Sequence, residues 1–202
     1  MRESENLKAL AQLPVDYIGF IFYNQSKRFV ENKIEGLDLE GKKKVGVFVN
    51  GLLNEVMEKV GDYELDAVQL HGTESAEYCR QLKTFLGLGR KPSELIKAFS
   101  VDENFDFDLT KAYELHCDYF LFDTKGKLPG GNGYTFDWTL LENYHGDTPF
   151  FLSGGINAEH TETIKSLNLK RLYAIDLNSG FEIEPALKDI SLLKKFIEDV
   201  KN

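Results

Sequence analysis

A chain of 202 residues, 42% of them apolar, has room for one domain around one core, since single cores serve up to about 250–300 residues. Its formal net charge of -9 argues against nucleic acid or an anionic membrane surface as a partner. Two cysteines, Cys79 and Cys117, are too few for a disulfide scaffold and point to a reducing, cytoplasmic setting, and no apolar run approaches the ~18–20 residues that cross a bilayer.

The first residues, MRESENLKAL, hold no apolar signal-peptide core. They open as a helix, with Ser4 a candidate cap for residues 5–13. A strand is expected at 17–22 (YIGFIF), then a short segment at 34–39 and a strand at 45–49 (VGVFV). Residues 52–60 form an amphipathic helix with Leu53, Val56 and Val60 on one face. The pattern continues with strand 67–70 (AVQL), helix 75–85, strand 95–99 (LIKAF), a helix ending near Cys117, and strand 119–122 (YFLF). It finishes with helix 136–144, strand 150–152 (FFL), helix 158–167, strand 172–176 (LYAID) and helix 189–200. The strands are nearly continuous apolar runs, as in parallel sheets buried on both faces. Strict alternation implies right-handed βαβ units. A doubly wound open sheet and a closed barrel both satisfy this pattern, and the strand count favours the barrel. A (βα)8 TIM barrel typically takes ~250 residues, with ~200 as a lower limit. Because this chain opens on a helix, the expectation is an α/β single-domain barrel over 1–202 whose first β-strand is missing from the chain.

In parallel α/β folds the chemistry collects at the C-terminal strand ends. After the first strand comes Ser26-Lys27-Arg28. Arg28 can meet a carboxylate bidentately, or can simply belong to a solvated basic turn. His71 closes AVQLHG and either faces the mouth of the barrel or caps the next helix. Asp123 ends FLFD, and a carboxyl behind four apolar residues is placed for a raised pKa and general-acid work. Helix capping is its alternative. Gly130, Gly131 and Gly133 form a loop whose backbone can approach a ligand closely. Gly154 and Gly155 follow the sixth expected strand, and Ser179 and Gly180 the seventh. Such paired loops often build a phosphate site from backbone N–H groups, which suits an acidic protein. Asp176 ranks below Asp123 as a site carboxylate. The two cysteines lie away from the strand ends and are expected to be buried small hydrophobes.

Taken in order, GFIF with SKRFV, VGVFVN, VQLHG, IKAFSV, LFDT, GGNGYTFDW, FLSGGIN, IDLNSGFE and a final KD make the chain resemble phosphoribosylanthranilate isomerase. The resemblance covers almost the whole length. It implies a barrel enzyme of tryptophan biosynthesis that performs an Amadori rearrangement on a small phosphorylated substrate, with no metal or organic cofactor, as a monomer or homodimer. It implies Asp123 as the general acid and Arg28 as the holder of the anthranilate carboxylate. The Gly154–Gly155 and Ser179–Gly180 backbones would form the phosphate cradle, and His71 and Asp176 would be pocket residues. In one respect the chain departs from the pattern. The family's general base is a cysteine in a Lys-x-Cys-Gly strand end, and Met1-Arg2-Glu3-Ser4 matches the stretch just after it. Asn132 and Asn178 also stand where the family usually has Thr or Ser. The expected consequence is an inactive or weakly active form. The alternatives are a non-catalytic phosphosugar-binding remnant, or another phosphosugar enzyme on the barrel such as indole-3-glycerol-phosphate synthase, whose lysine- and glutamate-rich site pattern is absent.

Overall fold

A computed structural model describes residues 2–32, 34, 39–89, 91–124 and 138–201. Seven parallel strands make one sheet in sequential order. They are β1 (Tyr17–Ile21), β2 (Lys43–Phe48), β3 (Ala67–Leu70), β4 (Glu94–Val101), β5 (Tyr119–Thr124), β6 (Phe150–Ser153) and β7 (Leu172–Ile175). The strands adjacent in sequence are the ones that pair, so the sheet curls in one direction, as a TIM-type barrel does, and lacks one strand between β7 and β1. The expected fold is the one observed. At that gap the two edges approach at their N-terminal starts, where the Tyr17 and Tyr173 hydroxyls lie 3.4 Å apart.

The two-residue period of the strands sorts the core into two shells. On β5, Leu121 points into the barrel with Val45, Ala67, Ile96, Ala98 and Phe151. Its neighbours Phe120 and Phe122 point outward into the larger core that the helices cover. Hence the apolar runs show little polar alternation before the strand ends, Lys97 within β4 being an exception. The covering helices are α1 (Ser4–Ala11), α2 (Leu53–Tyr63), α3 (Ala76–Gly87), α4 (Thr161–Ser166) and α5 (Ile190–Lys201). Helix α1 packs against α5 and so spans the outside of the gap.

Local details differ from expectation in a few places. Ser4 is the first residue of α1 and does not cap it; Glu3 takes that position without a side-chain bond. Ser75 does cap α3, accepting the Tyr78 N–H at 3.2 Å. The helices expected before β5 and within 136–144 are 3-10 segments, Phe107–Ala112 and Trp138–Asn143. Residues 35–38 of the short segment at 34–39 lie outside the described residues. A small antiparallel hairpin, β8 (Glu182–Glu184) with β9 (Leu187–Lys188), was not expected. Cys79 and Cys117 are buried, as expected.

Beneath the mouth sits a buried ion pair. Lys97, on the outward face of β4, lies 3.2 Å from Glu74, with side chains 3% and 1% exposed. The ammonium also donates to the Gly72 and Ala98 carbonyls at 2.9 Å each. Glu74 in turn accepts the Asn50 and Gly72 N–H groups at 2.8 and 3.0 Å. The pair therefore ties the loops after β2 and β3 to β4. Removing one member leaves the other charged and buried, which typically costs about 3–5 kcal/mol. Lys97→Met should thus lower Tm by about 10 °C, at roughly 2–4 °C per kcal/mol for a chain of this size. The same scan on Lys97→Met/Glu74→Gln should recover a good part of that loss, and equal losses in the two variants would refute the assignment.

Candidate functional site

Parallel register brings the C-terminal ends of the strands to one level, where Ser100 faces Asp123 and Asp123 faces Ser153. A cleft of about 770 Å³ runs from this rim, at Arg28, Gln69, His71, Asp123, Ser153 and Asp176, down the gap between β1 and β7 to Asp16, Tyr17 and Tyr173, with Phe196 and Ile197 of α5 behind it. Apolar side chains wall it lower down, and polar groups converge at its mouth, the usual make-up of a small-molecule site.

Asp123 continues the inward row of β5 above Leu121. Its Oδ2 lies 3.4 Å from His71 Nε2, and the other ring nitrogen, Nδ1, lies 3.0 Å from Gln69 Oε1. Both partners are oxygens, so a neutral imidazole donates to one of them and an imidazolium to both. Capping is excluded for His71, because α3 begins at Ala76 behind its own cap, Ser75. The Asp123 side chain is 26% exposed, so it is not sealed behind apolar residues as its sequence setting suggested.

Asp176 is the more enclosed carboxyl. Its N–H donates to Leu152 O at 2.8 Å, and its Oδ2 accepts the Ser153 hydroxyl at 3.2 Å. Burial pushes this carboxyl above the usual aspartate range, against the pull of Lys188, Ser153 and His71.

The glycine loops are built as their residue types require. Gly154 has φ +98°, and a Cβ there would lie 2.2 Å from Thr124 O. Thr124 holds this turn by donating to Ser153 O at 2.9 Å, and itself accepts the Trp138 indole N–H at 3.2 Å. Gly155 follows at φ +64°. A Cβ on Gly180 would meet Ile156 O at 2.1 Å, so the loops after β6 and β7 are stacked with no room for a side chain. Ser179 and Gly180 open a short 3-10 turn, Ser179–Phe181.

Arg28 is neither solvated nor unpaired. Its Nε lies 3.0 and 2.8 Å from the two Glu182 oxygens and its Nη2 2.5 Å from Oε2. Glu182 and Lys188 stand in the segments IDLNSGFE and KD, and neither carries a local signal for this pairing. Gly130, Gly131, Asn132 and Gly133 lie outside the described residues.

The family model for N-(5'-phosphoribosyl)anthranilate (PRA) isomerase matches residues 1–199. The chain belongs to the phosphoribosylanthranilate isomerase family. A relative from Parabacteroides distasonis bearing that enzyme's name is 49% identical over 99% of this chain and 90% of its own length. One from Phocaeicola vulgatus is 43% identical over 100% and 95%. Among solved structures, the isomerase from Thermotoga maritima aligns with TM-score 0.78 and 31% identity, over 100% of this chain and 95% of that one. Another phosphoribosylanthranilate isomerase, solved with reduced 1-(o-carboxyphenylamino)-1-deoxyribulose 5-phosphate, aligns at 0.76 and 28% over the same shares. Family membership and the curled sheet agree, and no helix among the described residues is long and apolar enough to cross a membrane.

Within this family frame the structure brings Arg28, His71, Asp123, Asp176, Gly154 and Gly155 to one cleft with Ser179. The raised Asp176 carboxyl gives a stability test. A carboxyl raised by folding favours the folded state below its unfolded pKa, and that contribution is lost as pH rises through the folded value. Asp176→Asn should therefore raise Tm at pH 7. The gain should shrink as pH falls toward 4, where the native carboxyl is protonated too. A gain in Tm that is constant between pH 4 and 7 would contradict the assignment.

Proposed function

We propose that the chain carries the ligand-binding and general-acid part of an isomerase site that converts N-(5-phosphoribosyl)anthranilate to 1-(2-carboxyphenylamino)-1-deoxyribulose 5-phosphate. The observation that carries this reading is the place of Asp123, in one cleft with Arg28, Gly154, Gly155 and Ser179. Anthranilate carboxylate and sugar phosphate are the two anionic ends of the substrate. Arg28 is the cation for the first. The backbone N–H groups of Gly154–Gly155 and Ser179–Gly180 are the donors for the second, which needs no charged side chain in an acidic protein. The furanose then spans the space in front of Asp123.

Asp123, protonated, gives its proton to the ring oxygen as the C–O bond breaks and the nitrogen lone pair forms the Schiff base. A base removes the proton from the second sugar carbon, and the enolamine tautomerises to the ketone. His71, 3.4 Å from Asp123, returns or relays the proton and holds the carboxyl in place. The base that the family resemblance assigns is the cysteine of Lys-x-Cys-Gly, a sequence that does not occur in these 202 residues. Cys79 and Cys117 lie buried away from the cleft. Taken by themselves, Arg28, Asp123 and the glycine loops also support a second reading, binding of a phosphosugar without turnover. Tryptophan biosynthesis is the setting, and the cytoplasm the location, that this substrate implies.

General acid–base groups typically contribute ~10²–10⁴-fold each. Residues 1–202 extended at the N-terminus by a strand bearing Lys-x-Cys-Gly should isomerise the substrate at least ~10²-fold faster than 1–202 alone. Asp123→Asn in the extended chain should lose a factor of the same order. Fluorescence decay of the anthranilate substrate reads both rates. Equal rates with and without the strand, or an unaffected Asp123→Asn, would overturn the respective role.

A further inference from the structure

The cation for the carboxylate and the loop for the phosphate are not independent. Glu182, whose side chain is 4% exposed, chelates Arg28 through Nε and Nη2. The same carboxylate lies 3.3 Å from the ammonium of Lys188, whose side chain is 8% exposed. That ammonium also donates to the backbone carbonyl of Asn178 and to its side-chain Oδ1, both at 2.9 Å. The hairpin β8–β9 sets this up, because its register places Glu182 opposite Lys188. Asn6 of α1 clamps the Lys188 backbone on both sides, accepting its N–H at 2.8 Å and donating to its C=O at 2.9 Å.

We propose that Glu182 and Lys188 are positioning residues that join the two anion-binding ends of the cleft into one unit, Glu182 orienting Arg28 and Lys188 orienting the loop after β7. This rests on the reading above for which groups meet the ligand.

The loop half follows from peptide geometry. A trans peptide unit is planar, with its C=O and N–H on opposite sides. The carbonyl of Asn178 and the N–H of Ser179 share one such unit. With Lys188 Nζ and the Phe181 N–H both drawing on that carbonyl, at 2.9 and 3.1 Å, the Ser179 N–H is turned away from them. Asn178 has φ -127° and ψ -104° at this turn. The arginine half follows from the planar guanidinium: chelation along the Nε–Nη2 edge fixes its plane, so a ligand carboxylate meets the Nη1–Nη2 edge of a group already oriented. Burial pushes the Lys188 ammonium down from its ordinary range, and the neighbouring Glu182 and Asp176 carboxylates oppose that shift. Lys188, one step removed from the ligand, thus supplies the only buried ammonium lining the cleft among the described residues.

Three variants separate positioning from structural support. Lys188→Met/Glu182→Gln removes both charges together, so no buried charge loses its partner within the pair. It should unfold cooperatively and yet bind the reduced product analogue, by calorimetry, at least about tenfold more weakly than the native chain. Glu182→Gln alone should release the Arg28 Nε–H to fast solvent exchange in ligand-free NMR spectra and leave the Ser179 amide resonance in place. Lys188→Met alone should move the Ser179 amide and leave the Arg28 Nε–H protected. Affinity of the double variant within twofold of native, or single variants that disturb both resonances alike, would overturn the proposal. If the native chain does not bind the analogue, the phosphosugar reading fails. The two single-variant spectra, recorded without ligand, then decide the positioning roles by themselves.

Discussion

Parallel register is the constraint on which the site depends. Each strand pairs in parallel with its sequence neighbour, with one register shift between β6 and β7 at Phe150–Phe151, so the inward rows of β3, β5, β6 and β7 all end at one rim. The two-residue period then decides what reaches the cleft. Shifting β5 by one residue would bury Asp123 outward among the aromatic rings around Phe122 and turn Thr124 inward. The dense outer core, with Phe99, Phe120, Phe122, Phe150 and Tyr144 in mutual ring contact, makes that shift costly. Packing on the outside of the sheet therefore fixes chemistry on the inside.

A sheet that stops one strand short of closure leaves backbone donors and acceptors of β1 and β7 facing each other across a gap. Unpaired edges are a liability in general. Here several features reduce it. Helices α1 and α5 pack together over the outside. At the N-terminal rim the Tyr17 hydroxyl meets Glu94 at 3.1 Å and Lys43 at 3.2 Å, with Lys43 and Glu94 2.5 Å apart. Tyr119 stacks on Tyr173 with ring centroids 4.5 Å apart, which ties β7 to β5 below the cleft. The gap between β1 and β7 opens into the same cleft that Asp123 and Asp176 line.

Much of this was legible in the sequence, for reasons that residue types make plain. Seven apolar runs with intervening helical periods specify the parallel sheet. Asp123 was legible because a carboxylate that ends an apolar strand has one address in such a fold, and Gly154 because Ser-Gly-Gly after an apolar strand marks a tight loop, which the structure builds with φ +98° at Gly154. The illegible parts are those set by pairs distant in the chain. Nothing local to Arg28 announces Glu182, which lies more than a hundred and fifty residues away. Nothing local to Lys97 or Glu74 announces the pair they form when the fold buries them against each other. The hairpin of β8 and β9 is too short to carry a periodic signal. The 3-10 segment Phe107–Ala112 was expected as a longer helix because 3-10 turns and helices share amphipathic spacing over six residues.

The central claim is that one rim holds both anion-binding ends of a phosphosugar with an aromatic carboxylate, with Asp123 between them. A crystal structure of the chain with the reduced product analogue tests it most directly. The account predicts phosphate oxygens within hydrogen-bond reach of the Gly155 and Ser179–Gly180 amides, the carboxylate on Arg28, and the sugar chain facing Asp123. A phosphate bound elsewhere, or the sugar chain turned away from Asp123, would contradict it.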